Sequence, residues 1–214
     1  GALAGPVVAG ACVLSKDFFE NEEALDLSAG MNDSKQLSAL ARESQLERIE
    51  ALCEKKQLDL AVAEASVEEI EAFNILGATR IAMQRALDTL ADRAADWELC
   101  RIEDSGPLFQ QDRPKVACLV DGRPLRPFPY VHKGLVKGDS LSLSIAIASI
   151  AAKVARDRSM RVLAARFPGY GLERHKGYGT KTHRQAIRQI GPCPIHRELF
   201  LRKILAASGS RPLG

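Results

Sequence analysis

The most coherent run of hydrophobic positions in this chain lies in Val136 to Asp157, VKGDSLSLSIAIASIAAKVARD. Leu143, Ile147, Ile150 and Val154 recur at helical spacing, while Ala146, Ser149, Ala151 and Ala152 keep the other faces narrow. The pattern predicts a slim helix, uncharged until Lys153, that lies close against a sheet and stops at Phe167-Pro168-Gly169. Asp139 stands just ahead of it, where a carboxylate accepts from orphan amides and meets the positive end of the helix dipole. Taken alone, Asp139 reads as a cap.

Elsewhere the pattern alternates between short apolar runs and helical stretches. Pro6 to Leu14, PVVAGACVL, predicts a buried strand. Ser38 has the position of an N-cap for a helix through Leu46, Ile49 and Leu52 to about Lys56. Leu58 to Glu64 predicts a second strand, and Ser66 with Glu69 forms a capping box ahead of another helix with an apolar face from Ile75 to Leu90. Val116 to Val120, VACLV, reads as a fully buried strand ending at Asp121-Gly122, and a short strand near His132 to Val136 leads into the slim helix. Residues 175–184, HKGYGTKTHR, read as a basic, glycine-interrupted loop. Two short helices divided at Gly191-Pro192-Cys193-Pro194 close the chain. Strands interleaved with helices predict an α/β domain with a mixed sheet.

Composition narrows the class without naming a function. With 214 residues, 46% hydrophobic and 27% charged, the chain is long enough for one well-cored domain with a helical appendage. No run approaches the roughly 20 apolar residues of a membrane span. The opening GALAGPVVAG carries neither an initiator methionine nor a basic leader, and it reads as a sequence joined part-way through. Five widely spaced cysteines with no C-x-x-C pair argue for reduced thiols and a cytoplasmic protein rather than zinc or disulfides. The net charge is +3, with acidic residues concentrated in 16–71 and basic ones between Arg156 and Arg202. A basic region permits an anionic partner such as nucleic acid, and it is equally what a solvated helix face looks like.

The chemistry-bearing positions gain weight in combination. Asp121 closes a strand at its carboxyl end, where α/β sheets place functional groups, although Asp-Gly is also a common turn. Together, Asp121 and Asp139 offer the hard oxygen ligands that Mg²⁺ takes, and metal pairs about 4 Å apart drive in-line phosphodiester cleavage. Two aspartates alone do not complete such a site. Ser34-Lys35 offers a hydroxyl and an ammonium to a phosphate, or an ordinary turn. In His175-Lys176-Gly177-Tyr178-Gly179-Thr180, glycines let the backbone approach a ligand and Tyr178 can stack on a sugar or base. No G-x-G-x-x-G, Walker or G-x-S-x-G sequence is present, which weighs against nucleotide cofactors and serine hydrolysis.

Six segments, in order, resemble the bacterial ribonuclease HII family: GALAGPVVAGACVL, NDSKQLS, LVDGRPL, VKGDSLSLSIAIASIAAKVARDR, FPGYGLERHKGYGTKTHRQAI and GPCPIHR. The resemblance spans Gly1 to about Arg197 and implies a ribonuclease H-like mixed β-sheet flanked by helices, with a C-terminal helical extension. It divides the chain into a catalytic core at 1–166, the extension at 167–206 and a tail at 207–214. The implied activity is hydrolysis of the RNA strand of RNA–DNA hybrids, and cleavage 5′ of single ribonucleotides in duplex DNA, giving 3′-hydroxyl and 5′-phosphate ends. It implies a divalent metal, Mn²⁺ or Mg²⁺, no membrane partner and a monomer. Asp121 and Asp139 match the third and fourth metal-holding carboxylates of the family, and Tyr178 matches the tyrosine that stacks on the sugar at the RNA–DNA junction. Ser34 and Lys35 match the loop that meets the backbone, with His175 and Lys176 beside Tyr178. The family's first two carboxylates lie in a D-E-A-G-R-G segment whose last glycine corresponds to Gly1. The alternative is that the 214 residues bind hybrid duplex without cutting it.

Overall fold

A computed structural model describes residues 1–32, 37–102 and 115–206. Strand β1 (Val7–Leu14) is followed by a 3₁₀ turn (Phe18–Glu20), then α1 (Glu22–Ser28), α2 (Ala39–Glu54), β2 (Leu58–Ala65) and α3 (Val67–Arg93). Strands β3 (Glu98–Leu99), β4 (Lys115–Val116), β5 (Cys118–Asp121) and β6 (His132–Leu135) come next. Helices α4 (Gly138–Leu141), α5 (Leu143–Arg166), α6 (Leu172–His175), α7 (Lys181–Ile190) and α8 (Glu198–Ala206) complete the order.

Local chemistry sets several of these boundaries. The Ser38 hydroxyl accepts from the Ala41 amide to start α2. At α3 the capping box closes both ways: the Ser66 amide donates to Glu69 Oε2 at 2.9 Å, and the Glu69 amide donates to Ser66 Oγ at 3.3 Å. Helix α3 kinks at Asn74, whose φ is 57°, and Asn74 Oδ1 then caps the second half by accepting from Leu76 and Gly77.

The strands pair as β1–β2, β3–β4 and β5–β6, the last two pairs parallel, with Asp121 opposite Leu135 in the β5–β6 register. The expected VACLV strand is not one buried run. It breaks at Ala117, and within β5 Cys118 and Val120 are buried while Leu119 and Asp121 face outward. A continuous apolar run cannot distinguish two buried faces from one. The expected loop over 175–184 is shorter, because α6 and α7 take its two ends and leave Lys176–Thr180.

The chain forms two compact units, each discontinuous in sequence. One comprises Gly1–Val8, Glu64–Thr79 and Ala155–Gly214, with a core of Leu3, Ala4, Met160, Tyr170, Leu172, Ile187, Leu201 and Ile204. The other comprises Ala9–Ala63 and Arg80–Val154, where Ile147, Ile150 and Val154 of α5 pack with Phe18, Ile49, Leu52 and Leu58. The slim helix is present as expected, and β1 runs close beneath it. A Cβ placed on Gly10 would stand 2.3 Å from the Ala148 carbonyl oxygen.

Candidate active site

Asp121 ends β5, and its Oδ1 accepts from the Gly138 amide at 2.8 Å. Asp139 is the next residue, in the first turn of α4 and 4% exposed. The carboxyl end of a strand and the start of a helix are thus tied together through one backbone amide. Lys137, at φ 58° and ψ 41°, takes the left-handed conformation that turns β6 into α4. A Cβ on Gly138 would meet Ile145 Cδ1 at 2.7 Å and Asp121 Oδ1 at 3.3 Å, so a side chain there would have to displace one or the other.

Asp139 is not the cap of the long helix that the sequence suggests. It belongs to the separate four-residue α4, which ends at Ser142 in an extended conformation before α5 begins. An extended Ser142 separates Asp139 from α5, and the Ser142 carbonyl accepts the Ala146 amide as the first bond of that helix.

Tyr178, His175, Lys176 and Gly1 all belong to the other unit. The segment Ala2–Pro6 runs between the 177–179 loop and residues 195–197: Leu3 donates its amide to the Gly177 carbonyl, Gly5 to Ile195, and Arg197 to Leu3. The Gly179 amide meets the Gly1 carbonyl at 3.3 Å, and Ala2 bridges Tyr178 in antiparallel fashion. Gly177, at φ 78°, leaves room for this strand, because a Cβ would lie 2.5 Å from the Ala4 carbonyl oxygen. The Tyr178 ring is exposed, and the Arg156 guanidinium lies 5.2 Å from its centroid. Lys176 is half-buried and left-handed at φ 51°. The His175 ring turns inward, stacked on His183 at 4.3 Å. Ser34 and Lys35 lie outside the described residues.

Two buried arginines brace this loop, and sequence reasoning did not single them out. Arg197 donates to the carbonyls of Gly5 and Pro6 at 2.9 Å each and to Ala2 at 3.4 Å. Arg156 donates to Lys176 at 3.0 Å, Ala4 at 3.3 Å and Pro6 at 3.4 Å. Burial, followed by the neighbouring Arg156, pushes the Arg197 guanidinium down to about 10. Burial likewise lowers Arg156, against the opposing pull of Tyr178 and Asp157. Both residues stand inside quoted motifs, KVARDR and PIHR, but their carbonyl partners are remote in sequence and gave no local signal.

The carboxylate pair suits a hard divalent cation in kind. In number it is half a cage: among the described residues no group of three or more His, Cys, Asp and Glu side chains is placed to hold a metal ion. A family model described as Ribonuclease HII matches residues 1–203. The chain belongs to the ribonuclease HII family. Ribonuclease HII of Syntrophotalea carbinolica is 44% identical over 200 residues, covering 94% of this chain and 80% of that protein. The crystal structure of ribonuclease H2 from Pyrococcus horikoshii OT3 superposes with a TM-score of 0.64 at 22% identity, covering 97% of this chain and 93% of that one. Bst-RNase HIII in complex with Mn²⁺ gives a TM-score of 0.62 at 20% identity, with 99% and 68% covered. The fold is therefore ribonuclease H-like, and the chain is a hydrolase with ribonuclease H activity. No helix among the described residues is long and apolar enough to cross a membrane.

Proposed function

We propose that Asp121 and Asp139 form half of the metal-holding centre of an endonuclease acting on RNA–DNA hybrids and on single ribonucleotides in duplex DNA. The observation that supports this reading is the Asp121–Gly138 hydrogen bond, which ties the Asp121 carboxylate to the residue next to Asp139. The two would hold Mg²⁺ or Mn²⁺, the latter seen with the Bst-RNase HIII neighbour. A bound divalent cation supplies a polarised phosphodiester and a water of lowered pKa. The protein's part is positioning. Gly138 orients Asp121, and the first turn of α4 fixes Asp139. Tyr178, braced by Arg156, presents an exposed ring to the sugar. The 2′-hydroxyl distinguishes a ribonucleotide from its DNA neighbours, so selection centres there. His175, Lys176 and Gly1 frame that ring, and α7 and α8 belong to the extension that meets duplex.

The test uses a duplex with one embedded ribonucleotide and Mn²⁺, with the 214-residue chain and with a version carrying D-E-A-G-R ahead of Gly1. The extended version cuts 5′ of the ribonucleotide, and its Asp139→Asn variant loses about a thousandfold in kcat, on the several-kcal/mol scale of metal assistance. Hybrid affinity stays within about twofold, because Asp139 serves the chemistry rather than docking. A wild-type rate from Asp139→Asn would refute the assignment. Binding without cleavage by either version would favour the binding-only reading.

A further inference from the structure

Beside the Tyr178 loop lies a cluster of imidazoles that the reaction itself does not use. His183 is fully buried and His196 is 5% exposed. Their Nε2 atoms face each other at 3.1 Å. His183 Nδ1 lies 3.0 Å from the Tyr178 carbonyl oxygen, and His196 Nδ1 lies 3.0 Å from the Cys193 amide. His175 stacks on His183 with its Nε2 2.8 Å from the Tyr170 carbonyl, while its buried Nδ1 has no hydrogen-bond partner among the described residues.

His196 Nδ1 also lies 3.1 Å from Cys193 Sγ and 3.2 Å from the Cys193 carbonyl oxygen, so the tautomers are set from the other end, where the Tyr178 carbonyl can only accept and takes the His183 Nδ1 proton. His183 Nε2 then accepts from the His196 Nε2–H, which leaves His196 Nδ1 to accept from the Cys193 amide. The opposite assignment would point the His183 Nδ1 lone pair at a carbonyl oxygen and leave the Cys193 amide without its acceptor. One extra proton on either ring places two N–H groups face to face or displaces the Cys193 amide. The groups around the pair supply no compensating charge. Burial raises the Tyr170 phenol to about 12 and also raises the Cys193 thiol, so both are neutral.

We infer that His183 and His196 form a neutral, directional hydrogen-bond chain, from the Cys193 turn to the Tyr178 carbonyl, that positions Tyr178 for sugar recognition. The inference rests on the reading of Tyr178 as the sugar-facing residue. The Tyr178 carbonyl receives two donors, the Thr180 amide at 2.8 Å and His183 Nδ1, so the loop's tip is pinned from α7. Arg156 braces the ring and the histidines brace the backbone. Both are positioning residues, since neither imidazole reaches the exposed face that Tyr178 presents.

The first measurement is ¹⁵N-imidazole NMR of the wild-type chain. It should show His183 protonated at Nδ1 and His196 at Nε2; either opposite tautomer overturns the chain. The second measures affinity by fluorescence anisotropy for a duplex with one ribonucleotide and for the all-DNA duplex. Replacing both rings together, His183→Phe/His196→Phe, keeps aromatic volume and avoids orphaning one polar partner of the pair. This variant should lose about three- to tenfold of the preference for the ribonucleotide duplex, the scale of a lost neutral hydrogen bond. Tyr178→Ala should lose at least as much, and adding the two Phe substitutions to Tyr178→Ala should cost nothing further. Equal weakening on both duplexes, or an undiminished effect in the Tyr178→Ala background, would mean a structural role only and overturn the inference. An unchanged preference in Tyr178→Ala alone would instead remove the sugar-facing reading of Tyr178 itself, while the NMR result would still stand for the hydrogen-bond chain.

Discussion

Gly138 decides the geometry of the carboxylate pair, although it carries no side chain. Its amide holds Asp121, and a methyl group would press within 3.3 Å of the same carboxylate oxygen. The closer clash, with Ile145 Cδ1, falls on the end of a side chain that can swing away, so folding should tolerate alanine at about 1 kcal/mol. Asp121 cannot move as freely without losing its donor. Gly138→Ala is therefore expected to lower kcat about tenfold with little change in Tm, as read by steady-state cleavage and a thermal melt. A fully active variant would show that the amide contact does not orient the acid. Asp121 and Asp139 were legible as candidates because strand ends and helix starts announce themselves in the local pattern. The amide joining them was not, since it spans 17 residues of sequence. Arg156 and Arg197 escaped notice for the same reason: what they hold is carbonyl backbone about 150 and 190 residues away.

Among the elements, caps whose partners lie three residues apart were read correctly, and the facing of β5 was not. The Ser66–Glu69 capping box and the Ser38 cap formed as expected, because their partners lie three residues apart. The kink at Asn74 carried no warning, since its φ of 57° with ψ of 174° lies outside the left-handed helical well that asparagine commonly visits. The slimness of α5 had a clear purpose. Its Ala148 carbonyl passes so near Gly10 of β1 that an added Cβ would sit 2.3 Å from oxygen, 3.0 Å from the carbonyl carbon and 3.2 Å from Cα. Both sides of that contact are backbone, which cannot rotate aside. Gly10→Ala should then cost about 2–3 kcal/mol and lower Tm by about 4–10 °C, more than the Gly138 substitution despite the same added methyl. Differential scanning calorimetry on the two variants checks the ranking, and a Gly10→Ala protein melting with the wild type would show that β1 and α5 are not held at that spacing.

Across the whole molecule, acid should act first on the unit that carries the histidine cluster. His175, His183 and His196 lie together there with Arg156 and Arg197, whereas His132 of the other unit is paired with the Leu125 amide. Burial depresses His196 to about 4, with His183 adding to the effect, and burial also depresses His183. In the unfolded chain both titrate near 6.5. The folded state therefore binds fewer protons than the unfolded state below about pH 6.5, and stability falls as the pH drops. The contribution is complete above about 6.5 and is lost progressively towards about 4, amounting to at most about 3 kcal/mol from His196. Urea unfolding followed through the amide signals of α7 isolates this unit at pH 7.5, 6, 5 and 4.5. The wild type should lose stability steadily over that range, and the His183→Phe/His196→Phe protein should lose less, by about 2–3 kcal/mol on account of His196. Parallel pH dependences for the two proteins would show that the buried imidazoles are already protonated in the fold, against the neutral arrangement their hydrogen bonds require.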